Sequence, residues 1–152
     1  MQFEKAVQTL FDAEVEFVVI GGLSATFHGS TRGTYVLDIC YSRTSANLRR
    51  LTAALAPFHP RPRGFPAGLP TLRNGPIFKL QTDIGEIDLL AEVKGLGTFD
   101  DVKKHSIVVE AFDRKIATFD LPGLIRAKRA AGREKDLSDV AELESLREAS
   151  EP

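Results

Sequence analysis

The sequence predicts an α+β fold: a mixed, largely antiparallel sheet flanked by helices, with further helices at the C-terminal end. Three observations predict it. Strand-like runs meet at tight turns around Asp83, Ile84 and Gly85 and again between Phe112 and Lys115, the mark of antiparallel hairpins. Apolar residues recur at helical spacing near the N-terminus. Residues 120–149 read as two successive helices, the first with a start signal at Asp120 and a stop at Gly132.

Phe3, Ala6, Val7, Leu10 and Phe11 fall at i, i+3, i+4, i+7 and i+8, an amphipathic helix packed by one face. Val15 to Ile20 reads as a strand ended by Gly21 and Gly22, and Leu23 to Phe27 as a short helix closed by His28 and Gly29. Val36 to Tyr41 is a second strand. Thr44 or Ser45 can then cap a helix that buries Leu48, Leu51 and Leu55 and turns Arg49 and Arg50 outward. From Pro57 to Pro70 the chain holds five of its eight prolines plus Gly64 and Gly68, which reads as a surface loop, either lid or connector.

Ile77 to Thr82 and Glu86 to Val93 form one predicted hairpin, Ser106 to Phe112 and Lys115 to Phe119 another. Asp120 can cap a helix from Leu121 to Ala131, with Pro122 in its first turn and Gly132 after its end, and Glu134 to Glu148 is a final helix. No internal repeat or domain boundary interrupts the chain, so residues 1–152 are expected to form one domain with a C-terminal helical segment from about 120 to 149.

The 152 residues include 20 Lys+Arg, 21 Asp+Glu and 43% hydrophobic residues, enough to bury a core and too apolar for a disordered tail. No apolar run approaches the ~18 residues that cross a bilayer, and Met1 to Lys5 lacks a basic region followed by an apolar one. A cytoplasmic protein with no membrane partner is expected. Cys40 is the single cysteine, and His28, His59 and His105 lie far apart, which excludes a disulfide framework and a cysteine-rich zinc site. Any metal must be held mainly by oxygen.

The formal net charge of -1 conceals an asymmetry. Between Ser30 and Lys79 stand Arg32, Arg43, Arg49, Arg50, Arg61, Arg63, Arg73 and Lys79 against Asp38 alone. A second basic run, Arg126, Lys128, Arg129, Arg133 and Lys135, precedes an acidic end with Asp136, Asp139, Glu142, Glu144, Glu148 and Glu151. Such blocks can attract phosphates, although a solvated helix face is the commoner origin of each alone.

In the strand Val36, Leu37, Asp38, Ile39, Cys40, the side chain of Asp38 shares a face with Val36 and Cys40, while Leu37 and Ile39 take the other. Glu86 and Asp88 likewise share a face of their strand. Aspartate in mid-strand is disfavoured, so two such positions suggest a paired site. If the strands are neighbours, their carboxylates stand close enough to share a cation and repel without one. Magnesium, held by one or two carboxylates plus substrate phosphates, suits that pair. The structural alternative is an exposed sheet edge with each aspartate solvated or paired to arginine. Gly21 and Gly22 before a helix could offer backbone N–H groups to a phosphate, or form an ordinary turn.

The order of these features resembles the nucleotidyltransferase superfamily, particularly its minimal bacterial members of toxin-like and abortive-infection type. The matching text is IGGLSATFHGSTRGTYVLDICYSR, then GEIDLLAEV, then LPGLIRAKRAAGREKDLSDV, spanning most of Val15 to Val140. The resemblance implies that Gly21, Gly22 and Ser24 hold a triphosphate, that Asp38 and Asp88 ligate Mg2+ or Mn2+, and that Lys128 neutralises phosphate charge. Asp136 would orient a nucleotide or acceptor group, or else stabilise the last helix through its dipole. Arg32 would contact phosphate or cap its loop.

One departure stands out. The family places a first aspartate where this chain has Val36, and valine cannot ligate an ion. Glu86 stands on the face of Asp88 and could contribute by a longer reach. The region from Leu69 to Asn74 is also shorter than the family pattern. His28 could bond the last carbonyls of its short helix, and Cys40, with no histidine placed to activate it, reads as a buried hydrophobe.

Three functions follow as expectations. The first is an enzyme moving a nucleoside monophosphate from a nucleoside triphosphate to a hydroxyl of RNA, protein or a small molecule, with activity weakened by Val36. The second is a catalytically degraded nucleotide- or RNA-binding module. The third is an interaction subunit of a toxin–antitoxin pair, docked through the acidic last helix.

Overall fold

A computed structural model describes residues 1–63 and 77–150. The helices are α1 (Phe3–Asp12), α2 (Gly21–Phe27), α3 (Ser45–Leu55), α4 (Phe99–Lys104), α5 (Leu121–Ala131) and α6 (Glu134–Ser150). The strands are β1 (Phe17–Ile20), β2 (Val36–Tyr41), β3 (Arg61–Pro62), β4 (Ile77–Thr82), β5 (Gly85–Leu90), β6 (Glu92–Val93), β7 (Gly97–Thr98), β8 (Ser106–Ala111) and β9 (Arg114–Phe119). Seven of the described strands form one sheet in the order β3-β4-β5-β2-β1-β9-β8, and β6 and β7 pair separately. Neighbours in the large sheet are antiparallel except at β2–β5 and β1–β9. The sheet is therefore mixed and mostly antiparallel, as its hairpin signals predict.

Alternation along the strands separates two cores. Leu37, Ile39 and Tyr41 of β2 and Ile87 and Leu89 of β5 face a core shared with Ala6, Val7 and Leu10 of α1 and Leu48, Leu51 and Leu55 of α3. Cys40 of β2 belongs to the opposite core, with Phe99 and Val102 of α4, Leu121, Leu124 and Ile125 of α5 and Val140 and Leu143 of α6. The period of two thus puts Asp38 and Asp88 on the α5–α6 side of the sheet. Asp120 caps α5 by accepting the Gly123 N–H at 2.7 Å, and Gly132 ends it in the left-handed conformation at φ 66°.

Several boundaries differ from expectation. The predicted strand from Glu86 to Val93 breaks after Leu90, and β6 leaves the main sheet to pair with β7. Part of the proline-rich stretch is regular: Ala56–Phe58 is a 3-10 turn and Arg61–Pro62 pairs with β4, an edge position where proline is tolerated. Residues 64–76, including the short region from Leu69 to Asn74, lie outside the described residues. Helix α4 was not anticipated. Its signal is Thr98-Phe-Asp-Asp101, a capping box in which the Asp101 carboxylate accepts the Thr98 N–H at 3.1 Å. His28 caps α2 as expected, through its backbone N–H to the carbonyls of Ser24 and Ala25 at 3.2 and 3.1 Å, while its ring reaches the Phe119 carbonyl at 2.6 Å and ties α2 to β9.

Asn47 joins β1, β2 and α3. Its Oδ1 accepts the Glu16 N–H at 2.6 Å, and its Nδ2 donates to the carbonyls of Glu16 and Ser42 at 3.1 and 2.7 Å. The residue is fully buried. Asn47→Ala is expected to lower the unfolding free energy by about 2–4 kcal/mol, read from urea denaturation, because buried backbone groups lose their partners together.

Candidate active site

A cavity of about 370 Å³ opens between the sheet and helices α5 and α6, in the size range of small-ligand sites. Its lining includes Gly21, Gly22, Arg32, Val36, Asp38, Asp88, Lys128 and Asp136. Seven of the eight predicted site residues meet there, although they are spread over more than a hundred positions of the chain. Ser24 is the exception. It is fully buried and shares a hydrogen bond with Thr118 Oγ1 at 2.8 Å, so it ties α2 to β9 and does not line the cavity.

The floor is built by β2 and β5, which run parallel with Asp38 directly beside Asp88 and Val36 directly beside Glu86. Asp38 forms no ion pair among the described residues. Burial pushes its carboxyl up to about 6, partly offset by the surrounding charges of Lys128, Arg63, Lys135 and Arg133. Asp88 is paired with Arg63, which follows β3, and the same guanidinium donates to Glu86 Oε2 at 2.5 Å. Sequence reasoning counted Arg63 only within a basic block. Nothing local marks it, because its place depends on the register of β3, β4 and β5.

Two glycines shape the wall. Gly21 has φ 65°, and a Cβ there would strike the Asp38 carboxylate; a Cβ on Gly22 would lie 2.7 Å from Thr34 Cβ. The two glycines are the first residues of α2, which begins two residues earlier than expected, and glycine at both positions lets the start of that helix approach the carboxylate floor. Helix α6 supplies the opposite wall. Lys128 Nζ lies 3.2 Å from Asp139 and 3.5 Å from Asp136, Arg32 pairs with Asp139, and Ser30 Oγ donates to Glu142 at 2.5 Å. Arg32 therefore fastens its loop to α6.

Asp136 is 1% exposed. Its burial opposes ionisation, but the Arg133 Nε bond at 2.6 Å and the nearby Lys128 ammonium win, holding its carboxyl below the usual range. A carboxyl lowered on folding stabilises the native state above its unfolded pKa, and that contribution is lost as pH falls. Asp136→Asn is expected to lower stability by about 1–3 kcal/mol at pH 7 in urea denaturation, with the difference from the wild type shrinking in acid. Cys40 is buried, with its thiol pushed up to about 12 by desolvation, which rules out nucleophilic duty at neutral pH.

Among the described residues no group of three or more His, Cys, Asp or Glu side chains is placed to hold a metal ion. Asp38 and Asp88 do supply an oxygen pair, which matches the needs of one magnesium or manganese ion that completes its shell with phosphate and water. No described helix is long and apolar enough to cross a membrane.

The mixed, mostly antiparallel sheet and its flanking helices match the fold of nucleotidyltransferases. A Thermotoga maritima protein assigned as a nucleotidyltransferase superposes with a TM-score of 0.57 at 18% identity, over 96% of this chain and 88% of its own. The lincosamide antibiotic adenylyltransferase LnuA, solved with lincomycin bound, gives 0.63 at 14% identity over 95% and 96%. The antibiotic-resistance factor ANT(2'')-Ia gives 0.57 at 15% identity over 97% and 88%. No family model matches the chain, and no curated protein sequence matches it.

Proposed function

We propose that the chain is a nucleotidyltransferase that moves a nucleoside monophosphate from a nucleoside triphosphate to a hydroxyl. The observation that carries this reading is the pairing of Asp38 with Asp88 on adjacent strands, beneath Gly21 and Gly22 and opposite Lys128. In the reaction the acceptor oxygen bonds to the α-phosphorus, the bond to pyrophosphate breaks, and the hydroxyl proton leaves to solvent. Asp38 and Asp88 would hold Mg2+ or Mn2+, which when bound neutralises charge on the triphosphate. Gly21 and Gly22 would present backbone N–H groups to the phosphates, and Lys128 would exchange its α6 carboxylates for phosphate oxygens. Arg32 and Asp136 would hold the nucleotide side of the cavity in shape.

A small-molecule hydroxyl is the acceptor we favour. Four arginines of the basic block do not form one surface: Arg32 and Arg63 are tied to carboxylates, and Arg49 and Arg50 project from α3, the helix that packs on the other face of the sheet. Among the structures similar in fold, LnuA is a lincosamide antibiotic adenylyltransferase solved with lincomycin and ANT(2'')-Ia an antibiotic-resistance factor.

The test is transfer of label from α-labelled nucleoside triphosphates, with magnesium or manganese, to total RNA, protein and a small-molecule hydroxyl library. The wild type is compared with Val36→Asp and Asp88→Ala. Labelled small molecules, lost in Asp88→Ala, are the expected result. Label in RNA or protein would instead favour the toxin-like or abortive-infection subtype with an antitoxin partner. Activity only in Val36→Asp would identify a degraded nucleotide-binding module, and silence from all three without nucleotide binding would overturn the reading.

A further inference from the structure

The face of the sheet that carries Asp38 holds an unusual charge arrangement. Val36 stands where a carboxylate would complete a pair on β2, yet its neighbour across the parallel ladder is Glu86, as Asp88 is the neighbour of Asp38. The third carboxylate of this face thus stands on β5 instead of β2. Cross-strand pairing carries the pattern outward, with Lys79 beside Asp88 and Gln81 beside Glu86, and the Arg63 N–H bonded to the Lys79 carbonyl at 2.8 Å. The Arg63 side chain, 24% exposed, reaches over β4 and offers one N–H to Glu86 and another to Asp88. A guanidinium fork suits such a bridge because its donors are fixed in one plane.

We infer that Arg63 is the resident second cation of this site, filling the position between Glu86 and Asp88, so that the face accepts one divalent ion at Asp38 and Asp88 rather than two. This rests on the nucleotidyl-transfer reading and deepens it. Enzymes that use two ions need enough carboxylates to hold both close together. Here Asp88 gives one oxygen to Arg63 and keeps the other, with its lone pairs, for an ion shared with Asp38. Arg63 is a positioning residue: it fixes Asp88 and supplies positive charge beside it.

The experiment counts manganese ions bound per folded chain, by the electron paramagnetic resonance of free Mn2+, alone and with each of the four α,β-methylene nucleoside triphosphates. One ion is expected in the wild type with nucleotide. Arg63→Gln is expected to bind two, because the freed Glu86–Asp88 pair recruits a second, and Glu86→Gln added to that variant should return the count to one. Arg63→Lys keeps the charge and should stay at one, and circular dichroism confirms that each variant is folded. Two ions in the wild type, or a count of one in folded Arg63→Gln, would overturn the role of Arg63 while leaving nucleotidyl transfer standing. Binding of neither manganese nor nucleotide by any form would overturn both.

Discussion

Asp38→Asn is expected to abolish nucleotidyl transfer, by at least on the order of 100-fold, and at the same time to make the protein more stable at pH 7 to 8. The two effects have one cause. Asp38 is half-buried without an ion-pair partner among the described residues, and its carboxyl is raised from 3.8 to about 6 chiefly by desolvation. Between about pH 4 and 6 the folded chain therefore keeps a proton that the unfolded chain has released. Stability of the wild type falls as pH rises through that window, by on the order of 3 kcal/mol, and above it the ionised group is a standing cost. The amide removes the charge, so Asp38→Asn should gain about 1–3 kcal/mol at pH 8 and show no such decline. Urea denaturation of both forms at pH 4, 6 and 8 in chelator measures this. A variant as unstable as the wild type at pH 8, or less stable, would show that Asp38 is not under strain.

Gly21→Ala is expected to be nearly as damaging to activity, although only a methyl group is added. The backbone at Gly21 has φ 65°, where a non-glycine residue costs about 1–2 kcal/mol, and the methyl enters the space of the Asp38 carboxylate. The Asp38 carboxylate must shift to admit it. The expected result is a loss of about 1–3 kcal/mol in stability with a fall of about 100-fold in transfer, measured by denaturation and by the label assay. Gly33→Ala is the matched control, since a Cβ there meets nothing within 4 Å. Equal activity in both variants would mean that Gly21 does not hold Asp38 in place.

Asp38 and Asp88 were legible because charge in the middle of a β-branched or leucine-rich strand is disfavoured and has to be explained. The burial of Leu48, Leu51 and Leu55 and the capping of α3 by Thr44, whose side chain accepts the Asn47 N–H at 3.3 Å, followed equally from period and propensity. What the text could not supply is register. The pairing of Val36 with Glu86 and the reach of Arg63 over β4 depend on which strands are neighbours and by how many residues they are offset. Ser24 illustrates the same limit at close range, because its position in α2 relative to the two glycines leaves it facing Thr118 instead of the cavity. The α6 wall was half visible: its acidic run reads as a solvated face, yet Asp136 and Asp139 turn inward to meet Lys128.

The latching of Lys128 and Arg32 by carboxylates of α6 has an electrochemical consequence. At Lys128 and Arg32 an entering anion meets cations that are already neutralised, so binding there is an exchange of one set of negative oxygens for another and not a simple accumulation of charge. Such an exchange leaves little net attraction at long range. Capture of nucleotide should then depend only weakly on ionic strength, and selectivity among anions should come from how well a polyphosphate replaces the geometry of the helix carboxylates it displaces.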